Sequence, residues 1–179
     1  MCRFTLYLGP AIRLSALVVE PVHSIIQQSF HSTGQEDPLN GDGFGIAWYV
    51  PELSPEPALF RSVTPAWNNT NLTELARVVQ SHLILAHVRA ATKHGGQSEA
   101  NCHPFRSGRY AFMHNGDIGA FQRMRRPLLA SLDDAAFDGI AGNTDSEHLF
   151  AVVLDELQRL PGSGVEHLAA ALQGAVARV

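Results

Sequence analysis

The feature that most constrains this chain is a change of hydrophobic period along its length. Up to His114 most of the regular elements read as short strand-like runs, and beyond Gly116 the pattern turns helical. Arg3 to Leu8 alternates as a strand that Gly9-Pro10 should end. Phe44 to Val50 and Ala58 to Ser62 flank a turn punctuated by Pro51, Pro55 and Pro57, which predicts an antiparallel hairpin. His82 to Arg89 and Tyr110 to His114 read as further strands, separated by a polar loop from Ala91 to Ser107. Helices are expected at Leu72 to Gln80, with Asn71 as cap and Glu74 returning to it, and at Phe121 to Leu132, Asp145 to Leu160 and Val165 to Val176. Ser15 to Phe30 is mixed and broken at Pro21, and no repeat or linker interrupts the 179 residues, which suit one domain.

Bulk composition narrows the function. With 45% hydrophobic and 17% charged residues the chain can bury a core. Thirteen basic against seventeen acidic residues give a net charge of −4 without a dense basic run, which argues against nucleic acid as a partner. Pro10 and Arg13 interrupt the apolar N-terminus, so it does not read as a signal peptide, and no segment approaches the roughly 20 apolar residues of a membrane span. Two cysteines are too few for a disulfide framework and suit a reducing compartment, so the expected location is the cytoplasm.

One of those cysteines is placed for chemistry. Cys2 directly follows Met1, and trimming the initiator would put a thiol and a free α-amine on one residue. Their ordinary pKa values, about 8.5 and 7.7 to 8, are close enough for proton exchange near neutral pH. Such a nucleophile needs partners. Asn115-Gly116, after a strand, can supply a side-chain amide and a backbone N–H to an oxyanion, although the dipeptide is also a strong hairpin-turn signal. Arg89 closes an apolar strand, where its guanidinium can grip a carboxylate through two parallel hydrogen bonds or form a surface ion pair. Thr92 can add a hydroxyl or stabilise a turn. Asp145 stands where a helix begins, as a cap or as a carboxylate for a substrate ammonium.

Asn40-Gly41-Asp42-Gly43-Phe44-Gly45 superficially resembles a phosphate loop, but it leads into a strand and lacks the P-loop lysine, so its glycines are read as permitting close backbone approach beside Cys2. The nine histidines, His87, His94, His103 and His114 among them, lack the paired spacing of zinc sites, so no metal is expected.

Met1-Cys2-Arg3, Asn40 to Gly45 leading to Trp48-Tyr49, Ala86 to Thr92, His103-Pro104-Phe105, His114-Asn115-Gly116 and Thr144-Asp145-Ser146-Glu147 occur in an order that resembles the class II glutamine amidotransferases. These are N-terminal-nucleophile hydrolases, and the likeness is greatest to the stand-alone amidohydrolases of γ-glutamyl compounds, the ergothioneine-pathway enzyme included. The resemblance implies an α+β fold, a four-layer αββα sandwich with antiparallel sheets. It also implies Cys2 as nucleophile, Asn115 and Gly116 as oxyanion hole, and Arg89, Thr92 and Asp145 around the γ-glutamyl group, with no cofactor.

The implied activity is hydrolysis of a small γ-glutamyl amide, glutamine or a γ-glutamyl peptide, through a thioester on Cys2; the alternative is a catalytically silent γ-glutamyl-binding module. Any synthase receiving the ammonia would be a separate polypeptide. Lys93 departs from the histidine that many relatives carry after the threonine. By comparison with the family's fold, strands expected after Leu160 are missing, which reads as a truncation at the C-terminus.

Overall fold

The computed structural model describes residues 2–30, 39–90 and 96–179, arranged as two compact units, residues 1–115 and 116–179. The first unit holds every described strand. β1 (Arg3–Arg13), β2 (Phe44–Trp48), β3 (Ala58–Ser62) and β4 (Gln80–Val88) form one antiparallel sheet in the order β1-β4-β2-β3. The expected hairpin is present: Phe44 faces Ser62 and Trp48 faces Ala58.

β1 does not stop at Gly9-Pro10 as expected. It continues to Arg13 through an irregularity in which Leu8 to Ile12 on β1 spans only Leu83 to Ser81 on β4. A proline has no N–H to give a neighbouring strand, and on an edge strand that loss is tolerated, above all at a bulge.

Period-two alternation divides the sheet. Phe44, Ile46, Ile84, Ala86 and Val88 point to one face and are buried against Leu14, Val18, Ile25, Leu72 and Ala76 of the connecting segments and of α1 (Ser15–Val18), α2 (Ile25–Phe30) and α3 (Thr70–Val78). Gly45, Ala47, Leu85 and His87 occupy the other face, and Ala47, Leu85 and His87 are buried too. That explains the apolar run Leu83 to Ala86 in β4, a central strand covered on both sides. The edge strand is less covered on this second face, where Phe4, Leu6 and Leu8 are exposed.

α3 begins earlier than expected. Asn69, not Asn71, is its cap and accepts from Leu72 N at 2.8 Å, while Glu74 pairs with Arg77 instead of returning to a cap amide. The loop after β4 contains a short strand absent from the sequence reading: β5 (Phe105–Ser107) pairs with β6 (Tyr110–Phe112) across a tight turn at Gly108, where φ is +50°. Tyr49 Oη donates to Arg109 O at 3.0 Å and ties this turn to the end of β2.

The second unit is helical, with α4 (Phe121–Ala130), α5 (Asp134–Asp138), α6 (Asp145–Arg159) and α7 (Gly164–Arg178). α6 and α7 fall within a residue or two of expectation, and α5 was not anticipated. α6 is buried all round from Ser146 to Val153, with Leu149, Phe150, Val152 and Val153 as its large apolar residues. α7 offers Ala171 and Ala175 as buried small residues, and a Cβ on Gly174 would lie 2.8 Å from Glu156 Oε2. Asp155 is 0% exposed; it accepts from Asp133 N at 3.1 Å and pairs with Arg159 at 3.0 Å and with Arg178, which also reaches Glu156 at 2.7 Å. Burial alone would raise the Asp155 pKa, but hydrogen bonds from Arg178 and the Asp133 amide hold it below the ordinary value.

Candidate active site

Cys2 stands just before β1. Because Arg3 faces Val88, the register carries Cys2 to the end of β4, where Ala90 N lies 3.4 Å from Sγ and Sγ lies 3.5 Å from Ala90 O. Its thiol is half-buried. Asn115, 113 positions away, donates from Nδ2 to Cys2 O at 3.0 Å. The expected nucleophile and the expected amide donor therefore share one corner of the first unit. β6 ends at Phe112 with no described strand pairing after it, so Asn115-Gly116 is not the hairpin turn that the dipeptide also allowed.

Arg89 is 4% exposed, so it does not lie at the surface. Its Nη1 lies 3.4 Å from the carbonyl oxygens of Asp42 and Gly96, while its own N–H donates to Gly43 O at 2.8 Å and its C=O accepts from Asp42 N at 3.1 Å. The loop before β2 is thereby stitched to the end of β4. Thr92, and His94 with it, lie outside the described residues.

The glycines of that loop do permit close approach, but to a different segment from the one expected. A Cβ on Gly43, where φ is +109°, would lie 2.7 Å from Cys102 Sγ, and one on Gly45 would lie 2.2 Å from His103 O. The residues pressed against Gly43 and Gly45 include Cys102 and His103, and not Cys2.

The sequence reading treated the histidines as scattered, and missed a pair. His87 and His103 are 1% and 5% exposed, with ring centroids 4.3 Å apart and tilted by 31°, and Phe105 packs on His103 at 4.4 Å. Burial, with Arg89 and His114 nearby, lowers His87 to about 3; burial, with His87 and His114 nearby, lowers His103 to about 2. Both are neutral imidazoles near neutral pH. A histidine interrupting the apolar run Leu83 to Val88 was the signal available in the sequence. Among the described residues no group of three or more His, Cys, Asp or Glu is arranged to hold a metal.

Cys102 differs from Cys2. It is fully buried, 3.6 Å from the carbonyls of Ser62 and Ser98, and burial pushes its thiol up despite Arg89 and Arg61. A thiol held protonated is a poor nucleophile.

The second unit holds Asp145, at the first residue of α6. The cap is Thr144, whose hydroxyl accepts from Glu147 N at 3.2 Å. Asp145 instead accepts from Ile118 N at 2.8 Å through Oδ2, and from Ser146 N at 2.7 Å and Ser146 Oγ at 3.3 Å through Oδ1. Glu147, also buried, accepts from Ala141 N at 3.0 Å and Gly142 N at 2.7 Å. His148 sits between Thr144 O at 2.7 Å and Arg125 Nε at 3.2 Å. One helical turn thus pins two loops by their backbone amides.

Residues 14–178 match the sequence profile described as "Glutamine amidotransferases class-II", a span that begins after Cys2. "Probable glutamine amidotransferase DUG3" of Saccharomyces cerevisiae is 50% identical over 89% of this chain and 46% of its own length. "Gamma-glutamyl-hercynylcysteine sulfoxide hydrolase" of Mycobacterium tuberculosis is 31% identical over 76% of this chain and 58% of its own. The chain thus spans about half the length of these curated relatives. A glutamine aminotransferase class-II domain protein from Silicibacter pomeroyi superposes with a TM-score of 0.69 and 33% identity, over 99% of this chain and 62% of that one.

Proposed function

Because this chain belongs to the class II glutamine amidotransferases, we propose that it hydrolyses a γ-glutamyl amide, with Cys2 as nucleophile once Met1 is removed. The observation that carries the proposal is the corner in which Ala90 N and O flank Cys2 Sγ while the Asn115 amide holds the carbonyl of the same residue. A side chain fixed at both its thiol and its backbone is preorganised for attack.

In this reading the Cys2 thiolate adds to the γ-carbonyl carbon, and the oxygen takes the negative charge. The second hydrogen on Asn115 Nδ2 and the Gly116 N–H meet it. The C–N bond then breaks, the leaving nitrogen takes a proton from the α-ammonium of Cys2, which had received it from the thiol, and a γ-glutamyl thioester remains. Water, deprotonated by that same amine, attacks the thioester, and glutamate leaves as the thiolate returns. Arg89 holds the α-carboxylate; Thr92 and Asp145 complete the recognition of the glutamyl half. The four-layer sandwich belongs to the same reading, as does a cytoplasmic location, for which two free thiols are suited.

The relatives include a hydrolase named for a γ-glutamyl sulfoxide, so the substrate class is taken as γ-glutamyl amides and peptides of small molecules. The test is a panel of such compounds incubated with Met1-free protein, with released glutamate measured. At least one should be turned over, and Cys2→Ala should abolish its turnover. Binding without glutamate release across the panel would instead make this a silent γ-glutamyl-binding module.

A further inference from the structure

We propose that Asp145 is a positioning residue for the loop that carries Gly116, in addition to its proposed contact with the substrate; the inference rests on the reading of Gly116 as an oxyanion donor. The geometry leads there in three steps. First, the helix does not need Asp145 as a cap, because Thr144 fills that role toward Glu147 N. Second, Asp145 Oδ2 accepts from Ile118 N at 2.8 Å, only two residues after Gly116. A charge-assisted hydrogen bond from a backbone amide fixes the local chain more firmly than a neutral one. Third, Oδ1 is turned the other way by Ser146 N at 2.7 Å and Ser146 Oγ at 3.3 Å, which sets the carboxylate plane and so the direction of Oδ2.

A carboxylate has about four acceptor directions, and these contacts use three, which leaves one on Oδ2. An ammonium placed there would share an atom with the bond that holds the loop. Ammonium recognition and placement of the Gly116 N–H are then two tasks of one oxygen, and loss of the carboxylate harms a substrate that has no ammonium at all.

Glutaramate, which is glutamine without its α-ammonium, separates the two tasks. The experiment compares wild type, Asp145→Asn and Asp145→Ala on glutamine and on glutaramate, and reads the hydrogen exchange of the Ile118 amide in each protein. Asp145→Ala should lower kcat about tenfold on both substrates, a fraction of the loss from removing an oxyanion donor outright. Its Ile118 amide should exchange about tenfold faster. Asp145→Asn keeps one carbonyl oxygen for Ile118, so it should retain more kcat on glutaramate than the alanine variant while losing affinity for glutamine.

A rise in KM for glutamine alone, with glutaramate turnover and Ile118 exchange unchanged in both variants, would overturn the inference. Exchange is read without turnover. Should wild type release glutamate from no γ-glutamyl compound of the panel, the proposed function fails on its own, and Ile118 exchange still decides whether Asp145 holds the loop.

Discussion

The corner around Cys2 and the helix α6 solve the burial of polar groups in opposite ways. In the first, His87 and His103 lie deep in the protein with no hydrogen-bond partner for their ring nitrogens among the described residues, and are held by stacking, by Phe105 and by the sheet backbone at Gly45. In the second, Asp145, Glu147 and Asp155 each accept from at least one backbone amide, and Asp155 adds two arginines. One region is kept in place by shape and desolvation, the other by directed hydrogen bonds and charge. They should therefore fail under different insults, acid for the histidine pair and truncation of a partner for the helical unit.

Acidification should have the largest effect. Both histidines have folded-state values below the ordinary 6.5, so the folded protein binds fewer protons than the unfolded chain. Their contribution is complete above pH 6.5 and is lost as pH falls through 6.5 toward 3. From pH 7 to pH 5 each should cost about 2 kcal/mol, at about 1.4 kcal/mol per pH unit below 6.5. Urea midpoints at the two pH values check this, and His103→Phe should flatten the dependence by about half. A pH-independent midpoint in wild type would erase the contrast.

Asp155→Ala comes next, at about 3 kcal/mol, because it strips a buried carboxylate from Arg178 and Arg159. Asp155 titrates below the ordinary carboxylate range, so its stabilisation is present above that range and fades only as pH drops beneath it. The midpoint difference between wild type and Asp155→Ala should hold constant from pH 7 to pH 5, where the histidine effect changes most.

Gly45→Ala should cost about 2 kcal/mol by chemical denaturation, since its Cβ must displace the His103 backbone. Thr144→Ala removes one cap and should cost about 1 kcal/mol, with the change confined to amide exchange in the first turn of α6.

Local chemistry made much of this legible from sequence. Proline punctuation and β-propensity located β2 and β3, and helical period and end signals located α6 and α7. Cys2, Arg89 and Asn115 each read as lying at the end of a strand, while the contacts of Cys2 with Ala90 and Asn115 come from the assembled sheet.

What escaped depends on neighbours distant in the chain. β1 runs past Pro10 because it is an edge, a fact of the assembled sheet. Asn69 rather than Asn71 caps α3 because the chain turns at Pro65 to Asn68 before the helix begins. Gly43 and Gly45 serve Cys102 and His103, which follow by nearly sixty residues, so nothing local reveals their partner. The histidine pair depends on the same packing, and on register: His87 faces Gly45 across β4 and β2, and the missing side chain there is the space His103 occupies.

The most direct test of the account is peptide-resolved mass spectrometry after a glutamine-like electrophile is added to purified protein. The account predicts a covalent adduct on a chain that begins at Cys2, with Cys102 unmodified and activity lost in proportion to labelling. Turnover by protein that retains Met1, or labelling at Cys102 with Cys2 untouched, would contradict it.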